Sequence, residues 1–246
     1  MSRDERSPLA DELNGVPGVV SKGELELLGL LPRSSNYTFL ARASLGDEQV
    51  LVVYKPRRGE TPLWDFPEGT LCSREVAAYV VSRSLGWPNV PPTVLRDGPE
   101  GEGSVQLFVD FDPNEHYFTM HEAGRFLDEF RRIALFDVVV NNADRKSGHC
   151  LLGRDGSIHV VDHGVCFNDE EKLRTVIWDF MGEPVPAREL EDLRRLADDL
   201  GTLGDELGGL LAGAELRAME ARLAAVVAAG RFPEPGVHRP FPWPTI

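Results

Sequence analysis

The apolar residues of this chain change their period once, and that change narrows the architectures open to it. Up to about position 110 they alternate: Glu24 to Leu31 reads Glu-Leu-Glu-Leu, Asn36 opens NYTFLARAS, and Gln49 opens QVLVVYKP, a β-branched run closed by Pro56. Period two places successive side chains on opposite faces of a strand. Three such segments in succession predict an antiparallel meander, and further strands are expected at Pro92–Leu95 and Ser104–Asp110. Residues 57–70, rich in Gly, Pro and charge, read as a loop. After them Ser73 precedes REVAAYVVSRSLG, in which Val76, Ala77, Val80 and Val81 recur at helical spacing until Gly86 stops the run.

From Glu122 the period is helical. FLDEFRRIALFDVVVNN leads into a polar loop at Asn141–Gly148, followed by CLL from Cys150 and IHVVD from Ile158, joined by Arg154-Asp155-Gly156 as a hairpin. Leucines at 190, 193, 196, 200, 203, 207 and 210 give an amphipathic helical region over Ala187–Ala229, broken by glycines near 201–213. The expected organisation is an α+β chain with a loose leader at 1–20, a strand-rich N-terminal lobe at 21–110, a mainly helical C-terminal lobe at 111–230 and a proline-rich tail at 231–246. The tail's Phe241 and Trp243, set between prolines, are expected to pin it to its own domain.

Composition excludes some functions. At 246 residues, with 42% hydrophobic and 27% charged residues, the chain can bury a substantial core. A net charge of -14 opposes nucleic acid as a partner and repels an anionic membrane surface. Cys72, Cys150 and Cys166 are an odd number scattered through apolar stretches and read as buried thiols. No stretch approaches the roughly 20 apolar residues of a membrane span, and the polar start does not resemble a secretion signal, so a cytoplasmic address is expected.

Lysine occurs only at positions 22, 55, 146 and 172, so the one that ends an apolar strand, Lys55, stands out. Phosphoryl transfer needs a cation on the phosphates, groups that hold a divalent metal and a carboxylate that orients the attacking hydroxyl. Lys55, with Glu75 on the following helix, suits the first need; a snorkelling edge lysine and a solvent-facing glutamate is the plainer alternative. The strongest signal is NNADRKSGHCLL from Asn141 followed by VVDHGVCF from Val160, which sets Asp144 in a loop and Asp162 before a glycine after two short strands. An ordinary acidic loop and a β-turn would carry similar residues.

These residues resemble the phosphatidylinositol 3-/4-kinase-like family, in particular its small actinobacterial members, over about Leu31 to Phe180. In that family a strand lysine, a glutamate in SREVAAYVVSRSLG-like sequence, an N-x-D-R catalytic loop and a D-x-G metal motif recur in this order. Here they stand as Lys55, Glu75, Asn142-Ala143-Asp144-Arg145 and Asp162-His163-Gly164. The resemblance implies a two-lobed protein-kinase-like fold, ATP between the lobes and Mg²⁺ or Mn²⁺ as cofactor. It implies transfer of the γ-phosphate to a hydroxyl acceptor, whether on a protein, a lipid headgroup or a small molecule. Asp144 is then catalytic, with Arg145 and Asn142 bracing its loop. By their order in the chain, Gln106, Phe108 and Val109 form the adenine-binding link between lobes.

The sequence departs from the family in two places. His149 stands five residues after Asp144, where the family has a metal-ligating asparagine; an imidazole in that position, paired with Asp162, suits Mn²⁺ or Zn²⁺ better than Mg²⁺. The phosphate loop PRSSNYTF is not Gly-rich, leaving Ser34, Ser35 and Asn36 as its hydrogen-bond donors. A nucleotide-binding pseudokinase acting through a protein partner is the alternative that these departures raise. His149, Cys150, His159, His163 and Cys166 also raise a structural zinc site, although their spacing fits no standard template.

Overall fold

The computed structural model describes residues 16–32, 36–236 and 239–246. They form two compact units, one made of the chain up to Cys72 with Pro91–Phe108, the other of Ser73–Val90 with Val109–Ile246.

The first unit is a five-stranded antiparallel sheet. Strands β1 (Glu24–Leu30), β2 (Phe39–Leu45) and β3 (Glu48–Pro56) form the expected meander, and β4 (Thr93–Gly98) and β5 (Gly101–Leu107) complete the order β1-β2-β3-β5-β4. A two-residue turn at Gly46-Asp47 joins β2 to β3, and the left-handed φ of 61° at Gly46 is one that glycine adopts without a Cβ clash. Ala41, Ala43, Val52, Tyr54 and Val105 are wholly buried. Helix α1 (Gly18–Lys22), carrying buried Val19 and Val20, packs against β2 to β5. Arg96 ties it down by donating to the carbonyls of Val20 (3.0 Å) and Gly23 (2.8 Å). A Cβ at Gly23 would lie 2.3 Å from Val19 O, so only glycine permits this close approach. The expected leader therefore reaches too far, since the chain from Val16 onward is part of this packing; residues 1–15 lie outside the described residues.

Loop 57–70 is tied back by Glu60, whose carboxylate accepts the N–H groups of Leu71 (3.1 Å) and Cys72 (2.8 Å). Those amides open helix α2 (Leu71–Leu85) and have no partner within the helix, so an acidic side chain there stabilises its N-terminus by about 1 kcal/mol. From Ser73 on, α2 belongs to the second unit rather than to the sheet.

The second unit contains α3 (Tyr117–Glu122), α4 (Leu127–Val140), the hairpin β6 (Cys150–Leu152) and β7 (Ile158–Val160), α5 (Ala187–Gly208) and α6 (Gly213–Ala229). Six residues are too few to display a helical period, which is why α3 leaves no mark on the sequence. Gly201 and Gly204 lie inside α5, and the break falls instead between Gly208 and Gly213. Burial of Leu193, Leu196 and Leu207 outweighs the cost of about 1 kcal/mol for each interior glycine. No helix among the described residues is long and apolar enough to cross a membrane.

Beyond Phe232, whose buried ring packs on Phe180, the tail is held by backbone carbonyls rather than by the rings of Phe241 and Trp243. Pro240 O accepts from Thr175 N–H (3.0 Å) and Trp178 Nε1 (3.1 Å), and Thr245 O accepts from Ser147 N–H (2.9 Å). Phe241 and Trp243 stay exposed, whereas Pro242 between them is buried.

All three cysteines are free and buried, and burial pushes the thiols up to about 11 at Cys72 and about 12 at Cys150, and well above the ordinary range at Cys166. Titration of the native chain with a thiol-specific disulfide reagent should therefore label none of them rapidly. Addition of denaturant should release all three.

Candidate functional site

In the second unit, α4 delivers the chain to the polar loop and ends where two asparagines take over its hydrogen bonding. Asn141 adopts left-handed backbone (φ 51°), which asparagine tolerates at a helix C-terminus. Its side chain donates to Asn168 O (2.9 Å) and Glu170 O (2.6 Å) and accepts from Lys172 N–H (2.9 Å), fixing the segment beyond Asp162-His163-Gly164. Asn142 donates from Nδ2 to Asp137 Oδ1 (3.0 Å) and accepts Asp144 N–H at its own Oδ1 (2.9 Å).

Asp137 is the hub. Wholly buried on α4, its carboxylate accepts from Arg145 Nε (3.1 and 3.0 Å to its two oxygens), Arg145 Nη2 (2.9 Å), Asn142 and Thr175 Oγ1 (3.3 Å). Arg145 is also fully buried and spends its remaining donors on Val161 O (3.0 Å) and His163 Nε2 (2.8 Å). Burial works against its charge, but the Asp137 carboxylate overrides that effect and holds Arg145 above the ordinary arginine range. Arg145 therefore positions the loop and has no surface on which to meet a substrate.

Asp144 sits at the loop's outer edge with its side chain 30% exposed, one oxygen 2.8 Å from Lys146 Nζ. Burial raises its carboxyl above the usual carboxylate range; Lys146 pulls it back, and the charge of Asp162 adds to the rise. Asp162 has left-handed backbone (φ 64°) and a half-exposed carboxylate. Its neighbours are pinned by the first turn of α2. Glu75, buried, accepts His163 N–H (2.9 Å), and Arg74 donates to Cys166 O (2.7 Å) while pairing with Glu215 at the start of α6. Phe167, wholly buried, also has positive φ (65°), its N–H bonded to Val140 O (2.6 Å). Such backbone costs about 1–3 kcal/mol per residue and persists only where surrounding contacts determine it.

His149 lies beside Asp162, with Nε2 3.4 Å from Oδ2, and its Nδ1 accepts Lys146 N–H (3.3 Å). Among the described residues no three His, Cys, Asp or Glu side chains gather as a metal set. His149, Cys150, His159, His163 and Cys166 thus form no structural zinc site. A single exposed carboxylate at Asp162 fits a magnesium-type cation, which retains water and takes most of its ligands from phosphate oxygens.

The remaining predicted residues lie in the first unit or at its boundary. Lys55 on β3 shares its sheet face with Val53 and the exposed Leu51, while Val52 and Tyr54 on the other face are buried. Asn36 Oδ1 accepts Thr61 N–H (2.8 Å); Ser34 and Ser35 lie outside the described residues. Gln106 is buried with its side-chain amide on Thr93 Oγ1 (2.8 Å), Phe108 N–H is bonded to Leu51 O (3.0 Å), and Val109 opens the second unit. Sequence reasoning missed Asp137 and Lys146. The first was visible as a lone carboxylate in the apolar run IALFDVVV, the second as one of only four lysines.

Residues 73–206 match the family described as phosphatidylinositol 3- and 4-kinase. Protein Rv2133c of Mycobacterium tuberculosis is 42% identical over 262 residues, covering 93% of this chain and 94% of its own. Phosphatidylinositol 4-kinase gamma 4 of Oryza sativa subsp. japonica is 34% identical over 130 residues, which is 45% of this chain and 22% of that protein. Phosphatidylinositol 4-kinase gamma 3 of Arabidopsis thaliana is 28% identical over 161 residues, covering 50% and 27%. This chain thus spans about a quarter of the plant proteins' length. The crystal structure of the Helicobacter pylori proinflammatory kinase CtkA matches with a TM-score of 0.53 and 13% identity over 86% of this chain and 94% of that one. That likeness shows the fold, a two-lobed α+β kinase-like architecture.

Removing one partner of the Asp137–Arg145 pair leaves an uncompensated buried charge. Asp137→Ala should destabilise the chain by about 3–5 kcal/mol in urea unfolding, and Asp137→Leu with Arg145→Met should recover much of that loss.

Proposed function

The chain belongs to the phosphatidylinositol 3- and 4-kinase family, and from that premise we propose that it is an ATP- and divalent-metal-dependent phosphotransferase acting on a hydroxyl group. The observation that carries this reading is the partly exposed Asp144 carboxylate, held at the edge of a loop that Asn142, Arg145 and Asp137 brace. Asp144 orients the acceptor hydroxyl and takes its proton as the oxygen bonds to the γ-phosphorus and ADP departs. Its raised carboxyl makes it a stronger base than an ordinary aspartate. Lys146 faces the charge that develops on the transferred phosphoryl group. Lys55 meets the phosphates, and the apolar side chains of Val53 and Leu51 on its sheet face suit a purine. The cation, when bound at Asp162, neutralises phosphate charge. Asn142 and Arg145 position the loop and touch no substrate. Of the adenine-binding link, the backbone of Val109 is the part assigned here, since the Phe108 amide is already engaged. The soluble, cytoplasmic setting expected above belongs to the same proposal.

A second reading, a nucleotide-binding pseudokinase acting through a protein partner, is favoured by one contact. Lys146 occupies an Asp144 oxygen that the reaction needs.

γ-Phosphate transfer and release, measured with Mg²⁺ and with Mn²⁺, separate the two. The enzyme reading expects turnover that falls by about 10²–10⁴ in Asp144→Asn. ATP-dependent thermal stabilisation without turnover in either metal supports the pseudokinase. The base must be ionised, so activity should fall as pH drops through the raised carboxyl of Asp144. Because Lys146 holds that carboxyl down, Lys146→Met should move the acid limb to higher pH; because Asp162 pushes it up, Asp162→Asn should move any residual activity's limb to lower pH.

A further inference from the structure

The loop that carries Asp144 lies between two neighbouring segments, one on each edge. On one edge Ala143 N–H is bonded to Val165 O (3.0 Å), three residues past Asp162. On the other, Arg174 N–H is bonded to Asn142 O (2.9 Å) and Arg174 O accepts Arg145 N–H (2.9 Å), so Arg174 stands opposite Ala143 and Asp144. The peptide joining Asn142 to Ala143 thus donates toward the Asp162 segment and accepts from Arg174, and a trans peptide points these two groups in opposite directions. Arg145 and Thr175 are bridge partners, and both turn inward onto Asp137. Side chains alternate along a bridged segment, so Arg174, one residue before Thr175, faces outward on the side where Asp144 reaches the surface. It is half-buried. The other cations of these two segments each hold a carboxylate, Arg145 that of Asp137, Lys146 that of Asp144 and Lys172 that of Glu170. Among the described residues the guanidinium of Arg174 has no ion pair and no hydrogen bond.

Phosphoryl transfer sets the attacking and leaving oxygens roughly in line, on opposite sides of the phosphorus. With the nucleotide's phosphates on the Asp162 edge, the acceptor reaches Asp144 from the edge that carries Arg174. We propose that Arg174 reads an oxyanion on the acceptor, so that the substrate is an alcohol carrying a phosphate or carboxylate group near the hydroxyl that is phosphorylated. The direction of approach rests on the phosphotransferase reading; the unpaired guanidinium does not. A planar guanidinium presents parallel N–H groups that match an oxyanion, and a charge-assisted pair of this kind gives both affinity and direction. Lys146 and Asp144 cancel each other's charge, which leaves Arg174 as a cation not yet neutralised in a chain whose net charge is -14. A neutral alcohol would leave that guanidinium without a partner, and the difference separates acceptors that a hydroxyl alone does not distinguish.

The experiment compares kcat/KM for glycerol, glycerol 3-phosphate and glycerate in the full chain with ATP and Mg²⁺. The wild type should favour the anionic alcohols by about 10–10²-fold, and Arg174→Gln should bring that ratio close to one. Arg174→Lys, which keeps the charge without the fork, should retain part of it. Glycerol 3-phosphate against glycerate tells which oxyanion is read, and phosphatidylglycerol vesicles, which offer the same groups on a lipid surface, tell whether it is free or on a headgroup. No anionic preference in the wild type, or a preference that survives Arg174→Gln, overturns the proposal. Equal loss on every alcohol makes the role of Arg174 structural and overturns it as well. Binding gives a readout that needs no turnover. In the full chain labelled with ¹⁵N-arginine and loaded with Mg²⁺ and a non-hydrolysable ATP analogue, the Nε–Hε resonance missing from Arg174→Gln should shift with glycerol 3-phosphate or glycerate and not with glycerol. Failure to respond to either anion overturns the proposal. If Mg²⁺ and the analogue shift no resonance anywhere in the chain, the phosphotransferase reading fails, and the response of Arg174 to the two anions still decides whether it binds an oxyanion.

Discussion

A wholly buried ion pair sets the geometry of the site. Asp137 and Arg145, eight residues apart in the chain, meet with neither exposed to water, and each is satisfied by further partners. Two charges in a low-dielectric interior hold together only when both are present and fully hydrogen-bonded, so the pair admits essentially one arrangement of the loop between them. Through Asn142, Thr175, Val161 and His163, that arrangement is passed to the segments on either side. Asp144 projects from the loop while its neighbours Asn142 and Arg145 face inward.

The second constraint comes from α2. Consecutive residues at its start, Arg74 and Glu75, hold the segment after Asp162 at Cys166 and His163, and Arg74 also reaches the start of α6. The left-handed backbone at Asp162 and Phe167 is maintained by these contacts and by burial of the Phe167 ring. The buried groups thus fix the site, and of its charged side chains Asp144, Lys146 and Asp162 reach the surface.

Much of this was legible from periodicity. The alternation over β1 to β3, the helical run ending at two asparagines and the hairpin after it are patterns that span enough residues to be read. Short elements were not legible: α1 has five residues and α3 six, and neither completes two turns. The glycines of α5 mislead because tertiary burial decides their cost. Asp137 was hidden because an ionisable residue in an apolar helix declares its partner only in three dimensions. The tail's exposed aromatics drew attention from the carbonyls that anchor it.

In the proposed reaction Asp144 and Asp162 address one phosphate group, the first at the transferred phosphoryl and the second through a cation. A crystal structure of the chain with Mn²⁺ and a non-hydrolysable ATP analogue tests it most directly, because Mn²⁺ can be located by its anomalous scattering. The expected result is a peak bonded to an Asp162 carboxylate oxygen and to phosphate oxygens, with the terminal phosphate facing Asp144 and Lys146. Nucleotide bound with its phosphates away from both aspartates, or Mn²⁺ bound elsewhere, would contradict it.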